Sequence, residues 1–180
     1  MQVSKTYLKK LISAEEISSR VQYLGKIISK SYDMKNPIFI GILNGSFMFM
    51  SDLLKSISTP CEVDFIKVNS YVGKKSTGSI KLLKNNSIDI KNRNIIIVED
   101  IIDTGRSIKY LMNLLSNSDP KSIAIATLLL KSGITGLNFN IDYIGFEITK
   151  EFVVGYGLDY NQKFRNLDSI YLLKDKSTNQ

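Results

Sequence analysis

The sequence predicts an α/β fold with a mainly parallel central sheet flanked by helices. Short apolar runs suited to buried strands recur along it: Ile38–Leu43, Ile95–Val98 and Ile123–Leu130. Stretches with helical spacing alternate with them, Ile17, Val21, Leu24 and Ile28 in one and Ile108, Leu111, Leu114 and Leu115 in another. No covalent staple substitutes for a core, because 180 residues include one Cys and no His. A chain of this length buries roughly 70% of its unfolded surface, which is enough.

The elements follow in order. Met1–Lys10 is polar and basic without an apolar core, so it does not read as a signal peptide. Ser13-Ala14-Glu15-Glu16 has capping-box spacing and opens a helix that ends near Lys30. Asn36-Pro37 breaks the chain before the strand Ile38–Leu43. Asn44-Gly45-Ser46 is a turn, and Phe47–Ile57 is predicted helical. Val63–Asn69 reads as a strand, Val72–Ser79 as a polar Gly/Ser/Lys-rich loop, and Ile80–Lys84 as a returning strand. Asn94–Val98 is a buried strand expected to end at Glu99-Asp100, and the following helix stops at Asp119-Pro120. Ile123–Leu130, Tyr143–Ile148 and Ser169–Leu173 complete the strands, with a loop over Ser132–Asn140. Alternating strands and helices without repeats or linkers predict one domain over residues 1–180.

Composition removes several chemistries. Without His there is no Ser-His or Cys-His nucleophile and no imidazole base or metal ligand. A lone Cys61 excludes an internal disulfide or thiolate cluster and fits a cytoplasmic location. No apolar run approaches the ~20 residues of a membrane span, so no membrane partner is expected. A formal charge of +7 points to anionic partners, either nucleic acid or a phosphorylated small molecule.

The informative segment is Ile95–Ser107. Four apolar residues bury a strand, Glu99 and Asp100 follow at its carboxyl end, and Asp103-Thr104-Gly105-Arg106-Ser107 opens a helix. Backbone N–H groups, two hydroxyls and a guanidinium at a helix start make a phosphate cradle. Carboxylates beside such a cradle suit hydroxyls, a metal ion or a proton. Read singly, Glu99-Asp100 is a solvated strand end and Asp103 a helix N-cap; the ordered set argues for a site. Asp103-Thr104-Gly105 also matches the aspartic-protease triplet, but there is one copy and it leads into a helix.

This segment resembles the phosphoribosyl pyrophosphate signature of type I phosphoribosyltransferases. Together with Gly41–Leu53, Ser70-Tyr71, Leu130-Lys131, Gly145-Phe146-Glu147 and Phe152–Tyr160 through Phe164-Arg165, the chain resembles bacterial hypoxanthine (hypoxanthine-guanine) phosphoribosyltransferases over nearly its whole length. The resemblance implies the type I phosphoribosyltransferase-like fold, with a small hood and a mobile lid loop at about residues 70–80. It implies Mg²⁺-dependent transfer of phosphoribosyl from phosphoribosyl pyrophosphate to a 6-oxopurine in purine salvage, and a homo-oligomer, tetramer or dimer. Residue by residue, it implies that Thr104, Gly105, Arg106 and Ser107 hold the 5′-phosphate. Glu99 and Asp100 face the ribose and the metal, Asp159 lies near the base and a second metal, and Asp103 exchanges a proton with purine N7. Lys131 donates to purine O6, Phe152 stacks on the ring and Val153 reads its edge through the backbone. Asn44, Gly45 and Arg165 meet pyrophosphate, and Ser70 and Tyr71 belong to the lid.

Some of this agrees with residue chemistry alone. Lys131 closes an apolar strand and so stands clear of the core; a lysine donates and cannot accept, which favours an oxo over an amino group. Asn44 departs from the family, which commonly carries Lys or Arg there. A cis Leu43–Asn44 peptide would keep backbone donors toward pyrophosphate, yet a side-chain charge is lost. The competing reading is an RNA-binding regulator on the same fold, favoured only by the charge. No basic patch with interleaved aromatics supports it, so nucleic acid is not expected as a partner. A transferase preferring xanthine or guanine is a third reading.

Overall fold

The computed structural model describes residues 6–70, 80–134 and 136–175. Along them run β1 (Thr6–Ile12), α1 (Ala14–Ser31), β2 (Ile38–Leu43), α2 (Phe47–Lys55), β3 (Glu62–Ser70) and β4 (Ile80–Lys84). There follow β5 (Asn94–Ile102), α3 (Arg106–Ser116), β6 (Ser122–Lys131), β7 (Tyr143–Ile148), β8 (Val153–Val154) and β9 (Ile170–Asp175).

Six strands form one sheet in the order β4-β3-β2-β5-β6-β7. β2, β3, β5, β6 and β7 pair in parallel, and β4 lies antiparallel on the edge against β3. The apolar residues of β2 and β5 are buried on both faces, which explains their unbroken hydrophobicity. On one face, Ile96 and Val98 meet Ile17, Val21, Leu24 and Ile28 of α1 and Phe49, Met50 and Leu53 of α2. On the other, Ile95 and Ile97 meet Ile108, Leu111 and Leu115 of α3. The Ser13 hydroxyl accepts from the Glu16 N–H at 3.2 Å and the Glu16 carboxylate from the Ser13 N–H at 2.8 Å, so α1 starts where its capping box predicts.

The hood is a second, antiparallel sheet ordered β1-β9-β8. Ile12, Val153, Ile170 and Leu172 tie it into the α1–α2 side of the core. β1 was not predicted: Lys9, Lys10 and Leu11 are exposed and only Ile12 is buried, so the strand carries little hydrophobic pattern of its own. β5 does not end at Glu99-Asp100. Glu99, Ile101 and Ile102 pair with Thr127, Leu129 and Leu130 of β6, so backbone pairing carries the strand past both acids. α2 stops at Lys55, two residues before the predicted end, and α3 is preceded by Gly105 rather than an Asp103 cap.

Asp64, only 5% exposed, fastens the return from β4 into β5. Its carboxylate accepts from the Phe65 N–H at 2.7 Å, the Ile88 N–H at 3.0 Å, and the N–H and hydroxyl of Ser87. Burial pushes the Asp64 carboxyl up, but these donors outweigh it and hold it below its ordinary 3.8. Removing the acceptor in Asp64→Ala strands buried N–H groups and is expected to cost about 2–3 kcal/mol in urea unfolding at pH 7. A depressed pKa gives stability that is present above 3.8 and lost as pH falls through the folded value. The stability gap between wild type and Asp64→Asn is therefore expected to narrow from pH 7 to pH 3; a constant gap would refute the assignment.

Candidate active site

The chain leaves β2 toward β3 on one side and continues from β5 to β6 and β7 on the other. The order therefore reverses between β2 and β5, and open α/β sheets bind ligands at the carboxyl ends of strands at such a reversal. β2 ends there in the turn Asn44–Ser46 before α2, and β5 in Asp103–Gly105 before α3. Unlike α1, neither helix has a side-chain cap. Ser46 is buried with its hydroxyl donating back to the Ile42 carbonyl at 2.6 Å, and Gly105 has no side chain to offer. The first N–H groups of α3 thus have no side-chain acceptor, and the Phe47 N–H of α2 reaches the Asn44 carbonyl at 3.4 Å.

Gly105 sits at φ 70°, in the left-handed region, and a Cβ there would come within 2.4 Å of the Leu137 side chain. The loop after β6 therefore lies directly on the Asp103–Gly105 turn, an approach that only glycine permits. Thr104 and Arg106 are exposed and Ser107 half-buried beside it. On the β2 side the Leu43–Asn44 peptide is cis and the Asn44 side chain is exposed.

The carboxylates occupy contrasting environments. Glu99 is buried with Oε2 lacking a hydrogen-bond partner, and burial first, then the neighbouring Asp100, pushes its carboxyl well up. Burial also pushes Asp100 up to about 6, opposed by the Ile101 N–H at 2.9 Å and by Arg165, and reinforced by Asp159. Asp100 lies so close to the Asn44–Ser46 turn that a Cβ on Gly45 would stand 1.6 Å from its Oδ2. Asp159 pairs with Arg165 at 2.5 Å and accepts the Gln162 N–H at 2.8 Å. Arg165 also donates to the Gly157 carbonyl at 2.7 Å. Gly45, Asp100, Asp159 and Arg165 thus form one charged cluster.

Lys131 and Asp103 form another. The ammonium, on a side chain only 12% exposed, stands 3.0 Å from Oδ2 of Asp103, which is 60% exposed. β6 ends at Lys131 and β5 one residue before Asp103, so adjacent parallel strands bring them together. Phe152 is half exposed at the start of the hood, and Val153 is buried in β8. Ser70 ends β3, whereas Tyr71 and the rest of the predicted lid to Ser79 lie outside the described residues.

For a divalent cation, Glu99 with its uncommitted oxygen and the half-buried Asp100 offer hard oxygen donors. Among the described residues no cluster of three or more metal-binding side chains forms a closed cage. One or two carboxylates, completed by substrate oxygens and water, is the donor set that Mg²⁺ takes, so the residues fit it.

Residues 12–161 match the phosphoribosyl transferase domain family. A hypoxanthine-guanine phosphoribosyltransferase of Lactococcus lactis is 44% identical over 179 residues, covering 99% of this chain and 97% of the relative. The chain belongs to the hypoxanthine-guanine phosphoribosyltransferase family. The crystal structure of a hypoxanthine phosphoribosyltransferase from Staphylococcus aureus matches with a TM-score of 0.88 and 39% identity, over 96% of this chain and 94% of that one. The bifunctional protein TilS/HprT of Listeria innocua is 42% identical over 167 residues, 92% of this chain, and the chain spans 26% of that relative's length. None of these matches supports the RNA-regulator alternative, and the type I fold stands.

Three features escaped sequence reasoning. Tyr160 sits edge-on to Phe152, with ring centroids 5.9 Å apart and an interplanar angle of 83°. The Tyr156 hydroxyl donates to Asp52 at 2.7 Å. Gly157, at φ 99°, approaches so closely that a Cβ would stand 2.1 Å from the Gly45 carbonyl oxygen. The pattern Gly155-Tyr156-Gly157 was the available signal, since paired glycines after a short strand mark backbone that other residues avoid. Gly157→Ala is expected to destabilise by about 2 kcal/mol or more, from the left-handed φ and the backbone clash together. Gly136→Ala, also at a positive φ of 77° but with nothing within 4 Å, is the control and should cost only about 1 kcal/mol. Equal losses in urea unfolding would refute the close approach as the cause.

Proposed function

We propose that the protein transfers the phosphoribosyl group of phosphoribosyl pyrophosphate to hypoxanthine and guanine, releasing pyrophosphate and supplying purine nucleotides by salvage. The observation that carries this reading is the Lys131–Asp103 pair, 3.0 Å apart beside the phosphate cradle. A 6-oxopurine carries O6 and N7 side by side on one edge. A lysine donates to the first and a carboxylate accepts the proton of the second, so the pair matches that edge in polarity and spacing. Adenine offers an amino group where the ammonium needs an acceptor.

The residues then take roles that their surroundings support. Thr104–Ser107 bind the 5′-phosphate through uncapped N–H groups, hydroxyls and the Arg106 guanidinium. Phe152 stacks on the purine, steadied by Tyr160, and the Val153 backbone reads its edge. Purine N9 attacks C1′ as the bond from C1′ to pyrophosphate breaks, and the N7 proton passes to Asp103 as general base. Asn44 and Gly45 meet the departing pyrophosphate through backbone donors, and Arg165 supplies positive charge beside them. Glu99 and Asp100 are the groups that would hold Mg²⁺ near the ribose and pyrophosphate, and Asp159, beside the base, would face a second one. When bound, the metal offsets the charge gathering on the leaving group. The chain works as one domain, and the absence among the described residues of a helix long and apolar enough to cross a membrane is compatible with a cytoplasmic enzyme. A dimer or tetramer is proposed, to be read by sedimentation.

Pyrophosphate release with phosphoribosyl pyrophosphate, Mg²⁺ and one base at a time tests the proposal. Turnover is expected with hypoxanthine or guanine, not with adenine, and is abolished by chelation; no turnover with any base would overturn it. Asp103→Asn should lower kcat about 10²-fold or more, the usual range for losing a general base. Lys131→Ala should erode discrimination against adenine, and unchanged selectivity would refute its role. Asn44→Lys restores a cation beside pyrophosphate and is expected to tighten product inhibition by pyrophosphate several-fold; an unchanged inhibition constant would sink the argument that Asn44 weakens that contact.

A further inference from the structure

Tyr156 is 5% exposed, yet its hydroxyl reaches 104 residues back along the chain to donate to Oδ2 of Asp52 on α2 at 2.7 Å. Burial first, and then the carboxylate it contacts, pushes the hydroxyl's pKa upward, so it stays a donor throughout the neutral range. Oδ1 of Asp52 pairs with the exposed Lys55 at 3.0 Å. α2 is the helix that opens from the turn Asn44–Ser46. The chain around Tyr156 touches that turn as well, through Gly157 against the Gly45 carbonyl.

Gly155, Tyr156 and Gly157 lie at φ 100°, 49° and 99°, three consecutive left-handed residues. Local preference does not hold a tyrosine there. Contacts from outside hold it: the Tyr156 N–H donates to the Leu167 carbonyl at 2.8 Å, Arg165 grips the Gly157 carbonyl at 2.7 Å, and Asp52 takes the hydroxyl. Phe152 and Val153 precede this run and Asp159 follows it.

We propose that the Tyr156–Asp52 hydrogen bond is a positioning strap that sets the purine wall, Phe152, Val153 and Asp159, at a fixed distance from the Asn44–Gly45 pyrophosphate turn. This rests on the purine and pyrophosphate roles given above. The reaction gives the distance a purpose. N9 and the pyrophosphate oxygen lie on opposite sides of C1′ during transfer, so the walls that hold base and leaving group must be spaced to keep the three in line, and small misplacements cost rate steeply. Neither side chain is placed against a substrate. Tyr156 acts through Gly157 and Val153, and Asp52 through the helix that begins at the turn.

Tyr156→Phe removes one oxygen and leaves the ring packed, while Asp52→Asn keeps an acceptor and Asp52→Ala removes it. Steady-state kinetics with hypoxanthine and thermal unfolding on all four proteins test the strap. Tyr156→Phe and Asp52→Ala should lose about tenfold in kcat, with the KM for phosphoribosyl pyrophosphate within twofold, because the Thr104–Ser107 cradle and the Asn44–Gly45 turn each keep their own backbone and only the purine wall shifts against them. Asp52→Asn should keep kcat within about twofold of wild type. Wild-type kcat in Tyr156→Phe, a kcat loss matched by a KM rise for phosphoribosyl pyrophosphate, or an Asp52→Asn as slow as Asp52→Ala would each overturn it. The underlying site reading fails separately, if the wild-type protein itself shows no transfer to hypoxanthine.

Discussion

The parallel pairing of β2 with β5 is the constraint from which the site follows. Ile38 to Gly41 run in register with Ile95 to Val98, buried on both faces, and this pairing is also where the strand order reverses. A parallel strand must hand its chain to a crossover, so each carboxyl end becomes a turn followed by a helix. Because the two turns belong to adjacent strands, the Asn44–Ser46 and Asp103–Gly105 turns stand side by side. A one-residue slip would send the buried isoleucines of one strand to the wrong face and separate the turns. The hydrophobic core thus fixes the distance between two groups of polar backbone donors.

Charge at the site is arranged by desolvation as much as by pairing. Asp103 and Lys131 keep a direct ion pair at the solvent edge, where a ligand can replace one partner by another at little electrostatic cost. Asp100 and Glu99 sit deeper, where burial disfavours their anionic forms. A buried carboxylate with few donors gains most when a cation arrives. Arg165 already serves Asp159 and the Gly157 carbonyl, so it adds positive potential near Asp100 while also acting as a structural tie. In a chain without histidine, the proposed proton acceptor is a carboxylate held against an ammonium.

What could be read from the sequence follows from how locally each feature is encoded. β2, β5 and β6 are legible because burial on both faces removes polar residues outright, and α1 because Ser13 and Glu16 cap it within one turn. The turn and helix start at Thr104–Ser107 are legible, since strand, turn and helix are contiguous in sequence. β1 and β8 are not, because the first exposes Lys9, Lys10 and Leu11 and the second is two residues long. The extent of β5 escaped for a different reason: acids suggest a strand end, but pairing with β6 continues beneath them to Ile102. The Asp52–Tyr156 bond is invisible locally, since nothing within ten residues of either side chain specifies the other.

The hood makes the dependence on long-range contacts plain. β8 is too short to hold itself and pairs only with β9, through Val153 with Leu172 and Val154 with Tyr171. β9 in turn pairs with β1, whose Ile12 reaches the core next to α1. The segment that follows Phe152 is therefore suspended between the small sheet of β1 and β9 and the turn at Gly45. Local bonds close its turns, Gly155 with Leu158 at 3.0 and 3.1 Å and Tyr160 with Lys163 at 3.1 and 3.0 Å, but its position is set where it meets the rigid part of the molecule. Gly157 and Tyr156 are those meeting points. Their unusual backbone angles are the local cost of bringing a loop from one sheet into hydrogen-bonding distance of a helix that starts at the end of another.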